Sequence, residues 1–115
     1  VPRVKLVLYW VSSFYIKEVV VKEKIEYLLK YISNDTFNKI LNNKGDYILD
    51  KVIVNRIDVD LNIRYLKKYG VYDIDKVVYE RLEELTLNHN DFIKKINDYE
   101  KKLTHEEVIM ILENV

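Results

Sequence analysis

Two glycines and one proline among 115 residues leave this chain almost without the residues that turn a backbone sharply. An all-β fold must reverse direction every few residues and draws heavily on such breakers, so their scarcity points to helices joined by short connections. Apolar residues make up 49% and charged residues 33% of the chain, a globular rather than disordered balance. The length suits one domain, residues 1–115. Because it starts at Val1 rather than Met, the chain reads as a fragment of a larger multidomain protein or a processed product.

The apolar spacing supports the same class. Residues 17–32 place Val21, Ile25, Leu28, Leu29 and Ile32 on one helical face. Ser33 to Asp35 offer an N-cap for a short helix through Leu41, with Asn42, Asn43 and Gly45 expected to stop it in left-handed backbone. Residues 46–57 read as a helix through Leu49, Ile53 and Ile57, although Val52 to Val54 also suit a strand. Asp58 or Asp60 is expected to cap the next helix, which ends at Tyr69 before Gly70. Asp73 caps the strongest pattern, Ile74, Val77, Val78, Leu82 and Leu85. After a turn at 88–90, Phe92, Ile96, Tyr99 and Leu103 mark another face. Thr104 and Glu107 have capping-box spacing, opening a last helix with Val108, Ile111, Leu112 and Val115 inward. Val4 to Trp10 is apolar and reads as helix for want of a partner strand. The expected fold is an all-α compact bundle of about six or seven short helices.

Several function classes lose their chemistry at once. Cys is absent, so there is no disulfide framework and no thiolate metal site, which suits a cytoplasmic setting. No apolar run approaches the ~20 residues of a membrane-spanning helix, so no membrane partner is expected. Gly45 and Gly70 stand apart, far from any phosphate-binding loop pattern. His89 and His105 are the only histidines and neither has a second His at ligand spacing. Asp58 and Asp60 have the D-x-D spacing that can share a divalent cation on a strand; at a helix start they stabilise its positive end instead. No catalytic residue, no structural metal and no self-contained enzyme are expected.

Binding chemistry is better represented. Ten tyrosines are many for such a length. The densest mixture of rings and cations is Arg64, Tyr65, Lys67, Lys68, Tyr69 and Tyr72. On one helix Arg64 and Lys68 align at i, i+4, and so do Tyr65 and Tyr69. A cationic row beside an aromatic row suits single-stranded nucleic acid, because bases stack on rings and cations meet phosphates. The plainer alternative packs the rings inward. Tyr27 and Tyr79 lie close to apolar faces and read as core. A second group is Arg3, Lys5, Tyr9, Trp10, Phe14, Tyr15 and Lys17. A third, Lys94, Lys95, Lys101 and Lys102, is diluted by Asp91, Asp98 and Glu100. A helix-turn-helix over residues 58–69 and 73–86 is disfavoured, because acidic residues outweigh cations in 73–84. Overall the 19 basic and 19 acidic residues cancel, with a basic start and an acidic end.

The opening Val4-Lys5-Leu6-Val7-Leu8-Tyr9-Trp10 and the succession of short capped helices resemble a known module. They are similar to the helix-bundle domain that follows the catalytic primase-polymerase domain in replication proteins of archaeal plasmids. Such domains often carry Gly-x-Arg shortly after the Tyr-Trp pair; here Val11-Ser12-Ser13-Phe14 stands instead. The resemblance implies DNA replication, with the catalytic carboxylates in an adjacent polymerase domain. The bundle would hold single-stranded DNA template and ATP or another nucleoside triphosphate, with or without Mg²⁺, while the first dinucleotide forms. The residues themselves nominate Trp10, Tyr65, Tyr69 and Tyr72 for stacking, and Lys5, Arg56, Arg64, Lys67 and Lys68 for phosphates. Arg81 could clamp a triphosphate or pair with Glu84. His89, between Asn88 and Asn90, could touch a nucleotide or serve the turn. The competing reading is an all-helical protein-interaction or dimerisation domain of an archaeal plasmid or viral protein.

Overall fold

The structure, a computed structural model, describes residues 19–115. The reading of Val4 to Trp10, and with it Lys5 and Trp10, lies outside the described residues. Within them the chain is all-helical, with no strand. Residues 19–25 are helical (α1) and run directly into a 3₁₀ helix, Glu26–Lys30. Seven α-helices follow: α2 Asn34–Asn43, α3 Asp46–Val54, α4 Arg56–Tyr69, α5 Ile74–Glu80, α6 Leu82–Leu85, α7 His89–Glu100 and α8 His105–Leu112. No helix among the described residues is long and apolar enough to cross a membrane.

Caps account for most of the boundaries. Ser33, Asp73, Asn88 and Thr104 each accept a backbone N–H from the first turn that follows, satisfying donors a helix start leaves open. Thr104 and Glu107 form the full reciprocal capping box. At the end of α4, Gly70 turns left-handed (φ +109°). Its N–H bonds to Leu66 and Lys67 carbonyls while that of Val71 reaches Leu66, the double closure of a Schellman motif.

Other boundaries differ from the sequence expectation. Asn42 and Asn43 remain helical, and Gly45 is the extended N-cap of α3 rather than a left-handed stop. The helix expected over 46–57 breaks at Asn55, whose side-chain amide donates to the Lys51 carbonyl at 3.0 Å. Such local bonding competes with helix continuation. Neither Asp58 nor Asp60 caps α4; Asn55 occupies that position. The long helix expected from Asp73 divides at Arg81, where φ and ψ are −116° and 29°. In α8 it is Ile109 that is buried, while Ile111 and Val115 face outward.

Helix α4 is the centre of the bundle and packs against α3, α5, α6 and α7. Val59, Ile63 and Leu66 point inward and are fully buried, each stabilising the fold by roughly 1.5–3 kcal/mol. Val52 of α3, Val78 of α5, Leu85 of α6 and Phe92 and Ile96 of α7 meet them in one core. The inward spacing 59, 63, 66 leaves 56, 57, 60, 64, 67 and 68 on the other side of α4. That outer face carries the candidate site.

Candidate functional site

Arg64, Lys67 and Lys68 are all exposed. Together with Tyr31, Leu61, Tyr65 and His89 they line one surface groove of about 550 Å³. Four of the residues nominated from the sequence for strand binding are therefore gathered, because α4 turns them to a common side. Tyr31 comes from just past the 3₁₀ helix and His89 from the first residue of α7. A neighbouring groove of about 350 Å³ shares Leu61 and Arg64 and adds Tyr27, Lys30, Arg56, Ile57 and Asp60. Among the described residues the two form a continuous face lined by five cations and one carboxylate, which gives a locally positive surface on a neutral chain.

That carboxylate is heavily engaged. Asp60 accepts a short hydrogen bond from the Tyr31 hydroxyl and pairs with Arg64 at 3.7 Å. Burial and the Asp60 carboxylate both push the Tyr31 hydroxyl above its ordinary pKa, so it stays a neutral donor. Lys67 stands 5.6 Å from the Tyr31 ring centre and Arg56 5.1 Å from that of Tyr27, within cation–π range. Tyr27 is core, as expected: its hydroxyl donates to the Val52 carbonyl at 2.7 Å, and burial pushes its pKa far up.

The aromatic row is shorter than the sequence suggests. Tyr65 is half-buried, with Tyr69 stacked at 6.1 Å, and Phe92 and His89 edge-on at 6.2 Å. Tyr69 turns away from the groove onto His105, 4.2 Å between ring centres. Its hydroxyl is buried without a hydrogen-bond partner among the described residues, and burial with the nearby Glu100 carboxylate pushes its pKa up to about 12. Tyr69 is thus a packing residue rather than a stacking platform. Tyr72 is highly exposed on the α4–α5 connection and is not among the groove's lining residues.

Arg81 and His89 go different ways. The Arg81 guanidinium bonds the carbonyls of Leu112 (3.0 Å) and Ile111 (2.7 Å), the Asn114 side chain (3.1 Å) and Glu84 (3.0 Å). Four of its five donors therefore bind the end of α8 and a neighbouring carboxylate, so the triphosphate-clamp reading gives way to a structural one. Glu113 completes that junction by accepting the Tyr72 and Asp73 amides. His89 lines the groove and is braced from behind. Its Nδ1 lies 2.8 Å from Asn62 Oδ1, and its backbone N–H donates to Asp58 at 3.1 Å. Asp58 and Asp60 consequently face different partners and do not form a common cation site. Of the other basic groups, Lys95 pairs with Glu84 and Lys101 with Asp98.

Three contributors escaped the sequence reading: Lys30, Tyr31 and Asn62. The first two follow the ring-and-cation interleaving that singled out α4, since Tyr27 and Tyr31 stand four apart around Lys30. Asn62 gives no local signal, because its partners lie on α6 and α7. No protein-family profile, curated protein or solved structure matches this chain.

Proposed function

We propose that the outer face of α4 binds single-stranded nucleic acid. The observation that carries this reading is the convergence of Arg64, Lys67 and Lys68 with Tyr31, Tyr65 and His89 on one open groove. Cations there meet phosphates without reading sequence, and rings accept bases of any kind. We further propose that the strand is the template of a primer-synthesising polymerase whose chemistry resides in a separate catalytic domain, with a nucleoside triphosphate as second ligand. That part rests on the sequence resemblance. A second reading, docking of another protein, draws on Val54 and Ile57, which are 81% and 76% exposed at the α3–α4 junction. Apolar side chains so open bury little area against the rest of the fold.

Fluorescence anisotropy with a labelled 12-nucleotide strand separates the two. Strand binding requires affinity that falls with salt, with a slope of log affinity on log salt near −2 if three cations engage phosphates. Replacing Arg64, Lys67 and Lys68 together by Ala should flatten that slope. Absence of binding at low salt overturns the nucleic-acid reading, and concentration-dependent mass in light scattering would then support the protein-docking one.

A further inference from the structure

Within the groove His89 is unlike its neighbours. Arg64, Lys67 and Lys68 offer only hydrogen-bond donors, which suits phosphates. The state of the His89 ring follows from what holds it. Asn62 is completely buried on α4, and its side-chain nitrogen lies 2.9 Å from the Leu85 carbonyl and 2.9 Å from the Leu87 carbonyl. Both partners are acceptors, so that end of the amide must be the NH₂, and Oδ1 must be the atom 2.8 Å from His89 Nδ1. An amide oxygen only accepts, so Nδ1 carries the proton and, in the neutral ring, Nε2 carries the lone pair. The Asp58 bond to the His89 backbone and the edge-on Tyr65 ring hold this imidazole in place. Nε2 has no hydrogen-bond partner among the described residues, and the ring lines the groove.

We propose that His89 is a base-reading residue: its Nε2 accepts a hydrogen bond from the exocyclic amine of a base lodged in the groove, with Asn62 as the positioning residue that fixes the tautomer. An acceptor nitrogen has nothing to offer a phosphate. It matches the amine of cytosine or adenine, which stands clear of the ring. The N3–H of thymine is recessed between two carbonyl oxygens, whose lone pairs oppose that of Nε2. The surrounding cations then supply affinity for any strand, and His89 adds a preference for amino-bearing bases. This rests on the strand-binding reading of the groove.

The test compares labelled oligo-dC and oligo-dT of 12 nucleotides at equal ionic strength and pH 7.5. Oligo-dC should bind tighter by roughly threefold to tenfold, the worth of one hydrogen bond, and His89→Phe should abolish the difference. Because that change leaves the Asn62 oxygen without a donor, circular dichroism checks that the variant folds. A long-range ¹H–¹⁵N spectrum of the unaltered protein gives an independent reading. The His89 ring should be protonated at Nδ1 and bare at Nε2, and the Nε2 signal should move on adding oligo-dC more than oligo-dT. Equal binding of the two strands, a preference that survives His89→Phe, or a proton on Nε2 overturns the inference while leaving the strand-binding reading intact. Failure to bind either strand overturns both.

Discussion

Asn62 shows how much one polar residue can organise in a bundle this small. It satisfies two carbonyls at the end of α6 and just beyond it, and holds His89 at the start of α7. Asn62→Ala leaves the Leu85 carbonyl buried without this partner and the Leu87 carbonyl and His89 ring unpaired at part-buried positions, and should cost about 3 kcal/mol in urea denaturation; a loss below about 1 kcal/mol would mean that water replaces the amide. Asp75 ties α5 to the start of α2. Burial acts to raise its pKa, but the Ser33 hydroxyl and amide and the Thr36 hydroxyl prevail and hold it below the ordinary 3.8. The carboxylate form is thus favoured by folding. Its contribution is present above the unfolded pKa and disappears as pH falls through the lowered value. Asp75→Asn should therefore destabilise by about 1 kcal/mol at pH 7, with the gap to the parent closing below about pH 4 in thermal melts. A pH-independent gap would assign the effect to packing. Neither role was legible in the sequence. Asn62 resembles any polar residue on a helix, and Asp75 any acidic residue in a first turn; their partners lie 23 to 42 positions away.

At the scale of elements, legibility followed locality. The caps at Ser33, Asp73 and Thr104 and the glycine stop of α4 involve residues within a few positions, and the spacing predicted each of them. The break at Arg81 has no local signal in the sequence; the side chain there reaches carbonyls 30 and 31 residues on. Ile109 rather than Ile111 turns inward, and it lies with His105 beside Gly70 at the end of α4. A Cβ on Gly70 would meet both at 3.6 Å, an ordinary contact, so the obstacle to any other residue is the left-handed backbone. Gly70→Ala should lower stability by roughly 1–2 kcal/mol, read as a drop in melting temperature. No change would mean that the α4 terminus rearranges freely.

At the scale of the molecule, zero net charge conceals separation of charge. Glu80, Glu83 and Glu84 share a surface cavity with Lys51, Arg81 and Lys95, where Lys51 pairs with Glu83 and both Arg81 and Lys95 pair with Glu84. Lys30, Arg56, Arg64, Lys67 and Lys68 gather on the α4 face, where Asp60 is the one carboxylate among the described lining residues. The sequence placed Arg64, Lys67 and Lys68 together because one helix carries them. It could not show that Tyr69 turns inward or that Tyr31 and His89 arrive from other elements. Strand binding by this face is most directly tested by the backbone ¹H–¹⁵N spectrum during titration with a short single-stranded DNA at low salt. Shifts should concentrate at residues 30–31, 56–68 and 89, with the ion-paired surface around Glu80, Glu83 and Glu84 unmoved. Shifts centred elsewhere, or none at saturating strand, would contradict it.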